Sequence, residues 1–499
     1  HLLLLGSLSE KMKGKAYNQT HLLVFLFIIF CLTKLSVIKH IPLINDEAYT
    51  LTISRYFSLS YFDHPPLMMW VSYFLHLFEV IQLHIFRTPF IGFGLLTSFF
   101  LYKIASKIYS KEAGTISAIL YFISPFFFFS GGFFIVPDGL LNFSVAGATY
   151  FAIKIIFGNE NKKLTWFLLG LLLAIGFLSK YQSYLFALAL FITFIIWKKE
   201  AFLNPNFYIS FIISVCGLLP VIIWNIENNF DSFNFHQARS SFNFNIFHAI
   251  NSIFLQSLLL LPTTFILICI SLVNYLKVKK SEESFLIFLS LPTILIFNFF
   301  MMASENSFAH WSMMGWMLLI PMASNSLTLF KSSLKKFLIF KALNIFLIFS
   351  LIFTLSIHAQ TGFLTNRYFR QLPEWDNTRE ILNWENIAKA ISENVKETEL
   401  KSIMTLNWYD SGQLSVALGH KYRVGVIGPN GNHFKYINLN SEKMFTLIVV
   451  RLLNNKKQED LTELMRSLGY KINKVNTLPF FRGSQNYGTI SLLSIEKEY

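Results

Sequence analysis

From residue 21 to residue 357 the chain alternates long apolar runs with short polar breaks. The runs lie at about 21–37, 90–104, 113–129, 140–157, 164–178, 185–197, 207–223, 250–272, 285–301, 312–323 and 338–357. Several approach the roughly 20 residues a helix needs to cross a bilayer core. The pattern predicts an α-helical polytopic membrane protein with about eleven transmembrane helices. Basic residues mark alternate breaks: Lys107 and Lys111, Lys162 and Lys163, Lys198 and Lys199, Lys277 to Lys280, and Lys331 to Lys336. With Lys11, Lys13 and Lys15 ahead of the first run, one side of the membrane collects the cations, as cytoplasmic loops do. That places residues 1–20 in the cytoplasm and the loop at 39–87 outside. Within that loop, residues 67–87 are half apolar but carry Glu79, Gln82 and His84. They predict one or two amphipathic helices in the interface.

After residue 357 the pattern changes. Apolar stretches of strand length recur at Lys401–Leu406, Tyr422–Ile427 and Phe445–Val450, with helical character near Ser411–Leu418 and Asp460–Leu468. The expected organisation is a cytoplasmic segment 1–20, a membrane domain 21–357, and a small extracytoplasmic α/β domain at 358–499. No phosphate-binding fingerprint occurs; Gly428-Pro429-Asn430-Gly431-Asn432 reads as a turn.

Composition agrees: 54% of the 499 residues are hydrophobic and 14% charged, and the 56 phenylalanines read as helix filler. The net charge of +14 would suggest nucleic acid in a soluble protein. Here the excess sits in loops that set orientation, and no nucleic-acid motif accompanies it. The three cysteines, Cys31, Cys216 and Cys269, fall inside apolar runs and read as buried small residues without a disulfide framework.

The chemistry concentrates between Asn45 and Leu67, where Asp46-Glu47, Arg55 and the turn Asp63-His64-Pro65-Pro66 follow the first apolar run. Charges this close to a span are costly unless they face water or a site. The other polar outliers, Asp138, Lys180, Arg239, Glu305 and His310, fall on the same outer side. Plain structural roles compete: a helix N-cap for Asp46-Glu47, a shaped turn for Asp63-His64, snorkelling for Lys180 and Arg239, and an interface anchor for His310-Trp311.

Asp46-Glu47-Ala48-Tyr49 followed by Tyr61-Phe62-Asp63-His64-Pro65-Pro66-Leu67 resembles the first outer loop of membrane glycosyltransferases that use polyprenyl-phosphate sugars. These include the aminoarabinose–lipid A transferases, the rhizobial galacturonic acid transferases and, more distantly, the protein O-mannosyltransferases. Pro137-Asp138-Gly139, Leu178-Ser179-Lys180-Tyr181, Trp224-Asn225, Asn229-Phe230, Ser232-Phe233 and His310-Trp311 extend the likeness across about residues 20–325. The resemblance implies a GT-C fold and an outer-face cavity, with the donor's lipid tail in the bilayer. It implies a catalytic role for Asp46, with Glu47 beside it, and a second acidic position at Asp138. The aminoarabinose branch has lysine before the two prolines where this chain has His64, a departure that bears on donor-phosphate contacts there.

The expected reaction is inverting transfer of a sugar from a polyprenyl-phosphate carrier to lipid A, lipopolysaccharide core or another envelope acceptor. It would take place on the periplasmic side of a bacterial inner membrane. Lys180, Arg239 and Arg55 would meet the donor phosphate. Asp46 would deprotonate an acceptor hydroxyl or, with a phosphate acceptor that needs no base, orient the sugar or offset oxocarbenium charge. Tyr49, Tyr61, His64, Tyr181 and His310 would bind substrate. No cofactor is required by this chemistry; Asp63 and His64, with His236 or His310, would be the ligands of a divalent metal if one is used. Transfer to protein is the alternative within the class. A lipid or sugar transporter is the alternative outside it, and would call for paired broken segments in two related halves.

Overall fold

The computed structural model describes residues 19–78, 82–238, 245–303, 308–330, 334–363, 378, 384–394, 402–437, 446–453, 458–467, 469–482 and 485–497. Every apolar run of the membrane domain is helical. Helix α1 spans Gln19–Val37; two short helices, α2 (Asn45–Ile53) and α3 (Leu67–His76), occupy the 39–87 loop. A 3-10 turn at Leu83–Arg87 leads into α4 (Thr88–Ile108), followed by α5 (Lys111–Ile123), the one-turn α6 (Pro125–Phe129) and α7 (Pro137–Ile156). Then come α8 (Lys163–Ser179), α9 (Gln182–Trp197), α10 (Pro205–Cys216), α11 (Leu219–Glu227) and α12 (Asp231–Ala238). The bundle closes with α13 (Ile246–Leu259), α14 (Pro262–Lys277), α15 (Ser281–Ala303), α16 (Met313–Phe330) and α17 (Leu334–Thr361).

Among the described residues, four continuous helical stretches are long and apolar enough to cross a membrane, or five if a bent pair counts as one span: His84–Ile108, Pro137–Ile156, Pro205–Glu227 and Ser281–Met302. The run read as one span at 250–272 is instead α13 and α14, bent by 107°. The break has a local cause. Leu261 takes the left-handed φ of 67° and precedes Pro262, whose ring disfavours helix in the residue before it. Ser124 Oγ caps the freed Leu260 carbonyl at 3.0 Å. Cys216 and Cys269 are exposed rather than buried, on the outer faces of apolar helices.

The bundle is organised around α7, which packs on α4 and α8 and is buried along most of its length. Pro137 opens it at a position where no backbone donor is needed. The end of α1 is tied in by Lys34, buried at 2% exposure, whose Nζ donates to the carbonyls of Phe128 at 2.8 Å and Gly132 at 2.6 Å. Gly132 lies so close to Gly94 of α4 that a Cβ on either would meet the other's backbone within 2.6 Å.

One ion pair fixes the 39–87 loop. Glu47 and Arg87 are both fully buried. Glu47 Oε1 accepts from Arg87 Nε at 2.7 Å and from the Ile135 amide at 3.1 Å. Its Oε2 accepts from Arg87 Nη2 at 2.6 Å and from the Ile44 amide at 3.1 Å. The remaining Arg87 donors reach the carbonyls of Ile38, Ile41 and Pro42, and its guanidinium lies 4.8 Å from the Phe133 ring centroid. A single pair thus joins the exit of α1, the start of α2, the start of α4 and the segment before α7.

The C-terminal domain carries a five-stranded sheet in the order β2-β1-β3-β5-β4. Its elements are α18 (Trp384–Asn394), β1 (Ser402–Thr405), α19 (Trp408–Ala417), β2 (Arg423–Val426), β3 (Thr446–Leu453), α20 (Gln458–Ser467), β4 (Tyr470–Arg482) and β5 (Gln485–Lys497). Strand β1 is parallel to β2 and β3, while β5 runs antiparallel to β3 and β4. The long β4–β5 hairpin and α18 go beyond the elements read from the pattern.

This domain docks on α2. A Cβ at Gly412 would lie 2.7 Å from the Tyr49 amide nitrogen, so α19 crosses α2 at backbone contact. Gln413 Nε2 donates to the Leu43 carbonyl and to Asn45 Oδ1, both at 3.0 Å. Tyr49, Tyr61, Met68, Phe86, Phe90, Leu140 and Phe434 share one buried apolar cluster across the junction.

Arg87→Ala should destabilise the protein by about 3–5 kcal/mol, since it leaves a buried carboxylate without its partner. Thermal unfolding in detergent would show this, and a Glu47→Gln, Arg87→Met double variant should recover part of the loss. Gly412→Ala should lift α19 from α2; the readout is faster limited proteolysis between Leu43 and Asn45 with the membrane helices still folded.

Candidate active site

Asp46 and Glu47 are neighbours on α2 but face opposite ways, because successive helical residues are rotated by roughly 100°. Glu47 turns inward to Arg87. Asp46 turns outward and is exposed. Its exposure is not that of a convex surface. Surrounding protein strips enough water from the carboxylate to raise its pKa to about 6, with desolvation the largest cause and the charges of Asp63, Asp138 and Glu47 adding to it. Lys180 acts in the opposite sense. A group that water reaches while protein encloses it lines a hollow.

The same hollow collects the other polar outliers. Asp138, in the first turn of α7, accepts from Lys180 Nζ at 2.8 Å, and both side chains are buried. Lys180 stands just past the end of α8, where the helix yields to extended backbone. His64 and His310 are electrostatic neighbours of Asp138. Burial, with Lys180 nearby, lowers the His310 pKa to about 4, so the ring is neutral at ordinary pH. Lys180 has three N–H donors and gives one to Asp138, leaving two for an anion.

Asp63 forms the wall between this cluster and the C-terminal domain. Its Oδ1 accepts from the Tyr49 hydroxyl at 2.9 Å, and that hydroxyl accepts from the His433 amide at 3.1 Å. His433 Nδ1 accepts from the Phe62 amide at 3.1 Å, so the ring proton sits on Nε2. Burial lowers the His433 pKa to about 3 and keeps it in this neutral form. Lys435 lies 3.8 Å from the Phe62 ring centroid and, with the Tyr436 hydroxyl, bonds Asp231 of α12. His236 contacts the Asp63 carbonyl at 3.2 Å, and the Tyr181 hydroxyl shares a 2.6 Å bond with Ser232.

The structure therefore brings together Asp46, Asp63, His64, Asp138, Lys180 and His310, with Tyr49 and Tyr181 beside them. It holds Glu47 apart as a structural anion. Tyr61 is fully buried, its hydroxyl spent on the Tyr56 carbonyl at 3.1 Å and the Ser58 amide at 3.3 Å, so it does not face the hollow. Arg55 is exposed on a different side, near His76 and His420. Arg239 and Glu305 lie outside the described residues. Among the described residues no group of three or more His, Cys, Asp or Glu side chains could hold a metal ion, so Asp63 and His64 gain no third ligand there.

Three residues of this architecture escape a linear reading. Arg87 opens an apolar run and resembles an interfacial cation. Lys34 looks like a helix-end snorkel. His433 sits beside a glycine-bearing turn 370 positions from Asp63 (433 minus 63). Only His433 leaves a signal, as a histidine beside aromatics at Phe434 and Tyr436.

Residues 63–224 match the family model described as dolichyl-phosphate-mannose-protein mannosyltransferase. No curated protein sequence matches the chain. The fold is similar to the crystal structure of ArnT from Cupriavidus metallidurans bound to undecaprenyl phosphate, with a TM-score of 0.63 at 12% identity, covering 96% of this chain and 98% of that one. The apo form of that protein gives 0.65 at 12% identity, covering 94% and 97%. Arabinofuranosyltransferase AftD from Mycobacteria gives 0.51 at 10% identity, covering 94% of this chain and 41% of that one. Among the described residues one helix pair is broken, not the two that a transporter of related halves would present. The chain thus shares its fold with these membrane glycosyltransferases, and the family match over residues 63–224 begins at the Asp63 turn.

Proposed function

We propose that this glycosyltransferase takes its sugar from a polyprenyl phosphate and passes it, with inversion, to a hydroxyl of a lipid A or lipopolysaccharide acceptor. The reaction runs at the periplasmic face of a bacterial inner membrane. The observation that carries the reading is the convergence of Asp46, Asp138, Lys180, His64 and His310 from five separate segments. The ArnT structure with undecaprenyl phosphate supports the choice of donor, through fold likeness along nearly the whole chain.

The acceptor oxygen attacks the anomeric carbon while the bond from that carbon to the phosphate oxygen breaks. The electron pair leaves on the phosphate, where the two unused Lys180 donors meet the added charge. Asp46 takes the acceptor proton. A carboxylate with a pKa near 6 is still mostly ionised at neutral pH, yet a stronger base than an ordinary aspartate. Asp138 holds Lys180 in position through their 2.8 Å ion pair. His310, kept neutral by burial, and His64 form hydrogen bonds with sugar hydroxyls. Glu47 takes no part in the chemistry; it holds α2 so that Asp46 points into the hollow.

Asp46→Asn should lower transfer by about 10²–10⁴-fold, the range of a lost general base. Mass spectrometry of envelope lipids from cells with and without the protein measures it, provided that the variant still inserts; a full sugar mass increment on the lipids would remove Asp46 from the mechanism. Because protonated Asp46 cannot act as base, kcat/KM should fall as pH drops through about 6. Asp138→Asn removes a charge that raises the Asp46 pKa, so the acid limb of its residual activity should move to lower pH. A rate flat across this interval would assign Asp46 to sugar orientation instead.

A further inference from the structure

On the far side of the Asp63–Tyr49–His433 wall lies a second cavity, of about 480 Å³. It falls within the roughly 300–1,000 Å³ typical of small-molecule sites. It opens at the seam of three parts of the chain: the end of the α2 loop, the end of α11 and the C-terminal domain. Phe57, Trp224 and Tyr436 give it aromatic walls, and Glu227, Asn228 and Arg423 give it a polar rim. His433 lines it as well, while its backbone amide bonds the same Tyr49 hydroxyl that reaches Asp63. The cavity and the acidic hollow are thus two hydrogen bonds apart.

The lining selects a chemistry. A bare phosphate would want cations without a carboxylate, and a lipid chain would want no charge at all. Here flat rings sit beside a carboxylate, an amide and a guanidinium. Trp224 is held edge-on to Tyr436 at 5.2 Å between ring centroids. The side chains of Glu227 and Arg423 are exposed and make no hydrogen bond or ion pair among the described residues, so their charged groups are available. Apolar ring faces with hydroxyl-matching donors and acceptors fit a pyranose, whose C–H face stacks and whose hydroxyls bond at the rim.

We propose that this cavity is an acceptor subsite that holds a sugar ring of the acceptor glycan beside the Asp63–Tyr49–His433 wall, so that a neighbouring part of the same glycan reaches Asp46. The inference rests on the transferase reading and adds what the acceptor presents to the enzyme: saccharide rather than lipid or peptide.

The test uses the full-length protein in detergent and lipid-free core oligosaccharide released from lipopolysaccharide as probe. Calorimetry should show binding by the parent protein. Arg423→Ala and Glu227→Ala, at exposed unpaired positions, should each weaken it about tenfold or more, the scale of one lost hydrogen bond to a charged group. In transfer assays the same variants should raise the acceptor KM by a similar factor and leave the donor KM in place. Failure of the parent to bind, binding by both variants within twofold of the parent, or an effect confined to the donor KM would overturn the subsite. So would Arg423-dependent binding of a serine-containing peptide in place of the oligosaccharide. Oligosaccharide binding that these variants abolish, in a parent that transfers no sugar, would sink the transferase reading while leaving the saccharide site standing. Asp46→Asn separates the two further: it should bind the oligosaccharide as the parent does and transfer about 10²–10⁴-fold more slowly.

Discussion

The architecture depends on the Glu47–Arg87 pair. A carboxylate offers about four acceptor sites, and Glu47 fills them with two arginine N–H groups and two backbone amides. Arg87 in turn satisfies three carbonyls at the exit of α1. Burying two charges is unfavourable unless every lone pair and proton finds a partner. The reward is geometric: four chain segments that share no secondary structure are held in one register beside the membrane. Asp46 inherits that rigidity, being one residue away on the same short helix.

Around Asp46 the charges are arranged against one another. Three carboxylates, Asp46, Asp63 and Asp138, share one region with a single lysine, and two histidines stand near. Desolvation is the main reason that Asp46 holds a proton more tightly, and the nearby carboxylates add to it while Lys180, paired with Asp138, opposes it. A phosphate entering beside Lys180 would find donors to spare. The same layout that leaves Lys180 with donors beside Asp138 raises the Asp46 pKa.

The C-terminal domain is part of this machinery rather than an appendage. Its helix α19 rests on α2 at Gly412, and its 3-10 turn at Asn432–Tyr436 grips both sides of the Asp63 turn. The Lys435 and Tyr436 contacts with Asp231 carry that grip across to α12. These contacts clamp the loop that carries Asp63 and the start of α12 against the C-terminal domain.

Much of this was legible in the linear pattern. Apolar runs determine helices in lipid, because backbone polar groups there must be satisfied within the segment. Polar residues out of place mark Asp46, Asp63, His64, Asp138, Lys180 and His310, which the fold brings together. The pattern is local, however, and hydropathy alone does not reveal pairing. It could not separate Glu47 from Asp46, since both are carboxylates in one turn and only the packing of α4 and the Ile135 segment decides which faces inward. Nor could it place Arg87 with Glu47, break the helix at Leu261, or bring His433 to Asp63. Those outcomes depend on contacts between residues tens to hundreds of positions apart, and such contacts exist only once the tertiary fold has closed.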